Sequence, residues 1–186
     1  MQDIELQSLT DSVIQGKRKV TVQAVEELLK EETPPDVILN ALLAGMDVVG
    51  RRFKANEIFV PEVLVSARAM KMGMEVLEPV LADAGIKPEF TIVIGTVEGD
   101  LHDIGKNLVA MMLKGANFQV IDAGTNVAAD RFVELAREHN AHIVGLSALL
   151  TTTMPSMKNA VETLRQANLD CKIMVGGAPV TDSYSQ

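Results

Sequence analysis

Tryptophan is absent from the 186 residues, tyrosine occurs once and phenylalanine five times, which leaves little aromatic surface for stacking on nucleic-acid bases. An excess of positive charge is missing too. Twenty-five acidic residues against 17 Lys and Arg give a formal net charge of −8, which works against holding a phosphate backbone. Nucleic acid is therefore not an expected partner. A single cysteine, Cys171, can build neither an intrachain disulfide nor a thiolate zinc cage, and it fits a reducing compartment. No run of about 18 apolar residues is available to span a bilayer. The opening Met1-Gln2-Asp3-Ile4-Glu5-Leu6 lacks the basic and apolar regions of a secretory leader, so a cytoplasmic location without membrane association is expected. What is there is a core-forming composition, 47% hydrophobic and 23% charged, with length for one ordinary domain or two small ones.

The pattern of apolar residues changes near residue 86. Before it, spacing is helical. Residues 3–15 read as one helix, and 21–31 as a second that opens at Thr21 and closes before Pro34-Pro35. A third starts near Asp36, with Ile38, Leu42, Met46, Val49 and Phe53 on one stripe up to Lys54-Ala55-Asn56. A fourth opens at Pro61 and carries Leu64, Ala67, Met70, Met74, Leu77 and Leu81 as far as Asp83-Ala84-Gly85. Four helices with short connections predict a small bundle over residues 1–86. From 87 to 186 short β-branched runs alternate with amphipathic stretches. Strands are expected at 91–97, 118–122, 143–146 and 172–175, and helices near 104–114, 128–139 and 155–166. Such a βαβ series predicts a parallel, doubly wound, Rossmann-like sheet with a ligand crevice at the carboxyl ends of its strands. The alternation stops after the fourth strand, leaving Tyr184-Ser185-Gln186, which suggests that a further strand and helix are missing.

The strand-end loops hold the chemistry. His102 lies two residues after Asp100 and three before Gly105. A metal-binding imidazole commonly donates its other ring N–H to a carboxylate, which fixes tautomer and basicity. Gly105 leaves room for a bulky group at the start of the next helix. The plainer reading is a turn with Asp103 capping the helix at Ile104. For Ser147 and Thr151 to Thr153 the plainer reading is helix capping ahead of Pro155, and for Gly176-Gly177 a turn. His139 and His142 read as solvated turn residues, and a zinc pair there lacks a third ligand. The ten methionines read as adaptable core filler on buried helix stripes.

Asp-x-His-x-x-Gly after the first strand, Ser147-x-Leu149 after the third and Gly176-Gly177 after the fourth resemble the cobalamin-binding domain of methionine synthase and of corrinoid methyl-carrier proteins. In the first half, Met46-Asp47-Val48-Val49-Gly50-x-x-Phe53 followed by Phe59-Val60-Pro61-Glu62 is similar to the methyl-cap bundle of that family. The resemblance implies that His102 ligates the cobalt of a cobalamin or related corrinoid from below, in place of the cofactor's own base. Asp100 would back it, with Asp103, Ile104 and Gly105 around it. The displaced tail would thread a slot lined by Ser147, Leu149, Thr151, Gly176 and Gly177. Methionine synthases complete a His-Asp-Ser relay at the position that is Thr153 here, so a hydroxyl is kept. Phe53, Val60 and Val63 map to the methyl-covering residues.

The family implies a carrier cycling between methylated and reduced cobalt. Its partners would be a substrate-specific methyltransferase, an acceptor methyltransferase using a thiol or folate, and a reductive activator. Methanol, methylamines, betaines and methoxylated aromatics are candidate methyl sources. Three competing readings are a cobalamin-dependent sensor, a mononucleotide module built on Gly95-Thr96-x-x-Gly99, and an adenosylcobalamin mutase domain. The sensor would need a helix-turn-helix segment, which an acidic chain of 186 residues does not accommodate. The mononucleotide module would need the Gly-Lys-Ser/Thr ending of a phosphate loop, which is lacking. The mutase would need a separate substrate barrel.

Overall fold

The structure is a computed structural model that describes residues 2–185; Met1 and Gln186, the ends of the two expected domains, lie outside the described residues. Two compact units emerge. One holds residues up to Lys87 together with Lys114–Asn117, the other Pro88–Leu113 with Phe118 onward. None of the described helices is long and apolar enough to cross a membrane.

The first unit is four helices: α1 (Gln2–Ile14), α2 (Arg18–Lys30), α3 (Pro35–Lys54) and α4 (Val60–Asp83). Their apolar stripes meet in one core that includes Leu9, Val25, Ile38, Leu42, Met70 and Leu77. Thr21 does not open α2 as expected. It is fully buried one turn inside the helix, where its hydroxyl back-bonds to the Lys17 carbonyl and meets Ser12 Oγ at 2.8 Å, so a residue that favours caps serves here to satisfy a buried polar pair. Pro35 and Pro61 occupy first-turn positions, where the missing N–H costs nothing. α4 runs on through Pro79 to Asp83. The methionines divide: Met70, Met74 and Met157 are buried, whereas Met72 and Met174 are exposed, so the core-filler reading fails for the last two.

The second unit is a four-stranded parallel sheet in the order β2-β1-β3-β4. Its elements are β1 (Thr91–Val97), α5 (Ile104–Gly115), β2 (Gln119–Val127), α6 (Ala129–Glu138), β3 (Ile143–Ser147), α7 (Met154–Gln166), β4 (Lys172–Gly176) and a final turn of helix, α8 (Asp182–Ser185). β1 is central and every residue in it is buried, the signature of a continuous apolar run covered on both faces. Val93, Val144, Phe132, Met157 and Leu164 form the core under α6 and α7, and Phe132 packs where a side chain on Gly95 would sit. The expected loop at Ala123–Val127 is instead a prolongation of β2. Its register on β1 slips twice, at Gly95↔Gly124 and at Val97↔Val127, because Gly124 and Asn126 take positive φ and kink the strand as bulges do. His142 is not a free turn residue either. Its Nδ1 accepts the Thr91 N–H at 3.1 Å and its ring meets Phe90 edge-on.

Strand order reverses between β1 and β3, so the loops leaving these strands diverge and open a crevice at their carboxyl ends. Phe132 is the largest fully buried side chain, and Phe132→Ala is expected to cost about 3–5 kcal/mol, read as a lowered denaturant midpoint with an unchanged slope.

Candidate functional site

Asp100 stands at the centre of the crevice with no exposed surface. The chain turns after β1, with Asp100 N–H donating to Val97 and Gly99 at φ +82°, and this drops the carboxylate between the β1 and β3 loops. Oδ1 accepts two bonds from one residue, the His102 backbone N–H at 3.0 Å and the His102 ring Nδ1 at 2.8 Å. Oδ2 accepts from Leu149 N–H at 2.8 Å, Leu150 N–H at 3.4 Å and the Thr153 hydroxyl at 2.8 Å. The third loop joins through the backbone: Asn126 N–H donates to the Asp100 carbonyl and Gly99 N–H to the Asn126 side chain. Burial by itself would push the Asp100 carboxyl up, but the donors from His102, Leu149 and Thr153 outweigh it and hold the group well below the usual carboxylate range.

An ionised Asp100 fixes the His102 tautomer. Nδ1 faces a carboxylate and so carries the proton, which leaves Nε2 with its lone pair free. The His102 side chain is 51% exposed, and Thr96 Oγ1 donates to its carbonyl at 3.0 Å. Near it are apolar residues that stay exposed: Leu101, Ile104 at 78% exposure, Leu149 and Leu150. Asp103 accepts from the Asn107 side chain at 2.9 Å and its carbonyl receives the Asn107 N–H, the first bond of α5.

Beside this loop a groove of about 280 Å³ runs along the sheet face between α5, β3 and β4, lined by Gly105, Val109, Gly145, Ser147, Gly176 and Gly177 among others. It is wide because its walls are small. Gly177 lies at φ +133°, and a side chain there would collide with the Ala148 carbonyl, so only glycine closes this corner. Of the residues expected to form a slot, Ser147, Gly176 and Gly177 line the groove. Leu149 contributes its backbone N–H to Asp100 instead, and Thr151 is exposed in a 3-10 turn over Thr151–Thr153.

The sequence reading misses Lys106. It is buried in the groove wall, with Nζ 2.7 Å from both Asp122 oxygens and 2.6 Å from Asn107 Oδ1, and it ties the first turn of α5 to β2. A lysine in the first turn of a helix reads as solvated, and no spacing marks it otherwise. In the helical unit Phe53 and Val60 are exposed whereas Val63 is 2% exposed. No group of three or more metal-ligating side chains occurs among the described residues.

A B12 binding domain model matches residues 90–186, and a second model, also described as a B12 binding domain, matches residues 5–78. The chain is 43% identical to dimethylamine corrinoid protein 2 of Methanosarcina mazei, over 97% of this chain and 86% of that protein. Among solved structures, the methanol:cobalamin methyltransferase complex MtaBC from Methanosarcina barkeri matches 99% of this chain and 71% of that one with a TM-score of 0.86 at 29% identity. A cobalamin-binding protein from Desulfitobacterium hafniense matches 97% and 87% with a TM-score of 0.82 at 30% identity. With both halves matched in this way, the chain belongs to the B12-binding corrinoid proteins.

Proposed function

We propose that this chain carries a methyl group on a bound corrinoid, held from below by His102, between a substrate-specific methyltransferase and a second methyltransferase serving a thiol or folate acceptor. A reductive activator completes the set of partners. The single observation that carries the reading is the buried, five-bonded Asp100 that turns His102 Nε2 outward as a lone, oriented imidazole. Relatives that match nearly the whole chain are named as corrinoid proteins or belong to a methyltransferase complex, which favours carriage over sensing.

When bound, the corrinoid supplies a cobalt centre that accepts and gives up a methyl group. The chain's own residues bind and orient. His102 offers Nε2 in a fixed direction because ring and backbone hang from the same Asp100 oxygen. Thr153 donates to the other carboxylate oxygen as the outer member of a His102-Asp100-Thr153 relay. Leu101, Ile104, Leu149 and Leu150 give a large apolar ring a dry floor, and the groove walled by Gly105, Ser147, Gly176 and Gly177 takes a narrow tail. Asp103 and Thr151 border this surface. In the helical unit Phe53 and Val60, both exposed, and the buried Val63 are the residues to which the family resemblance gives the methyl-covering role.

After incubation with hydroxocobalamin and desalting, the wild type is expected to retain corrinoid, with a visible spectrum that changes in His102→Ala; a colourless wild type would refute the reading. Asp100→Asn is expected to weaken retention about 10–100-fold while leaving the helical content intact by circular dichroism. Because the Asp100 carboxyl is held below its ordinary range, the stability it contributes is complete above the unfolded value near 4 and is lost as pH falls through the lower folded value. The stability gap between wild type and Asp100→Asn in urea should therefore be about 1.5–3 kcal/mol at neutral pH and shrink only at strongly acid pH. Gly177→Ala is expected to lower both corrinoid retention and melting temperature, whereas Gly105→Ala, with open space around it, should lower retention alone.

A further inference from the structure

Lys106 is a buried cation with no part in the site as described so far, and stability is a poor reason for its presence. Its side chain is 2% exposed, against 43% for its partner Asp122. An apolar side chain of similar volume in place of a buried ion pair is often neutral or stabilising, so such a pair is weak evidence of a stabilising role. What the lysine does is reach three acceptors at once, both Asp122 oxygens at 2.7 Å and Asn107 Oδ1 at 2.6 Å.

These contacts lie on a path that leads to His102. Asn107 donates its side-chain amide to the Asp103 carboxylate at 2.9 Å and its backbone N–H to the Asp103 carbonyl at 2.8 Å. A lysine can only donate and a carboxylate only accept, so one orientation of the Asn107 amide satisfies both neighbours. Lys106 thus sets the amide, and the amide holds the residue that follows His102. At the far end of the path Asp122 also accepts the Gly124 N–H at 2.9 Å, at the first slip of the β2 register. The second slip carries Asn126 to the other side of the histidine segment, where it accepts the Gly99 N–H and donates to the Asp100 carbonyl. The two kinks of β2 therefore grip the turn from Asp100 to Asp103 from both sides. One grip is direct, through Asn126. The other runs from Asp122 through Lys106 and Asn107 to Asp103.

We propose that Lys106 is a positioning residue for the axial ligand: acting through Asn107 and Asp103, it fixes the far side of the His102 segment so that the imidazole is in place before a corrinoid arrives. The inference rests on the reading of His102 as ligand and adds a residue that acts on it through two others. Outer groups of this kind change metal affinity through the orientation of the ligand.

The test uses the full chain, with hydroxocobalamin as the probe, and compares wild type, Lys106→Met, Asn107→Ala and the double variant. Lys106→Met should bind about tenfold more weakly, and the visible spectrum of its bound corrinoid should move towards that of His102→Ala. Its melting temperature should hold or rise, because no charge is left to bury and the partially exposed Asp122 keeps its access to water. Asn107→Ala cuts the middle link at an exposed position outside the groove wall, where alanine suits the helix, and it should show the same loss and the same spectral change. In the double variant the two losses should not add, since both break one path. Should Lys106→Met fail to fold, Asn107→Ala decides alone. A loss in Lys106→Met with wild-type binding in Asn107→Ala would assign the lysine to the groove wall and overturn the inference. Additive losses, equal affinity throughout, or an unmoved spectrum in both single variants would overturn it as well. A wild type that retains no corrinoid would instead sink the reading of His102 as ligand.

Discussion

One buried negative charge organises the carboxyl-end rim of the sheet. Asp100 has no solvent to turn to, and an ionised carboxylate in that position is tolerable only because its oxygens are saturated by donors from two loops. The requirement works in both directions. The carboxylate needs the donors, and the β1 and β3 loops, which diverge from the switch point, need a common acceptor to share one conformation. Asn126 brings in the β2 extension by way of the Asp100 backbone. Three loops that would otherwise move separately thus form a single rim.

The groove beside that rim has a different logic. Its one cation, Lys106, spends its hydrogen bonds on Asp122 and Asn107, so the wall presents little unpaired positive charge. A site for a polyphosphate would leave such a lysine reaching into the cavity. Glycines and a serine instead make a roomy, nearly neutral channel suited to an uncharged or singly charged extended group.

Much of this was legible in the residues, and the exceptions share a cause. β1 could be bounded to the residue because a run such as Thr91–Val97 has no other use than a strand buried on both faces. The spacing of Asp100, His102 and Gly105 pointed to the contact between the Asp100 carboxylate and the His102 ring. Thr153 was reachable only through the family resemblance, since nothing local says that a hydroxyl 53 residues from Asp100 will lie against it. Thr21 and His142 were misread, and Lys106 missed, because each is a polar residue whose role depends on a distant partner, respectively Ser12, Thr91 and Asp122. The prolongation of β2 was misread for a geometric reason: Gly124 and Asn126 mark turns in most settings, and only pairing with β1 turns them into bulges.

The double hold of one Asp100 oxygen on both the backbone and the ring of His102 bears on the entropy of ligation. A histidine on a free loop would have to surrender rotamer and backbone freedom at the moment it met a metal, and that loss would be subtracted from the affinity. Here the freedom has been given up during folding. On the proposed reading, coordination by His102 would then be free to be weak, and so reversible, and still prompt, because the imidazole is already held in place by Asp100.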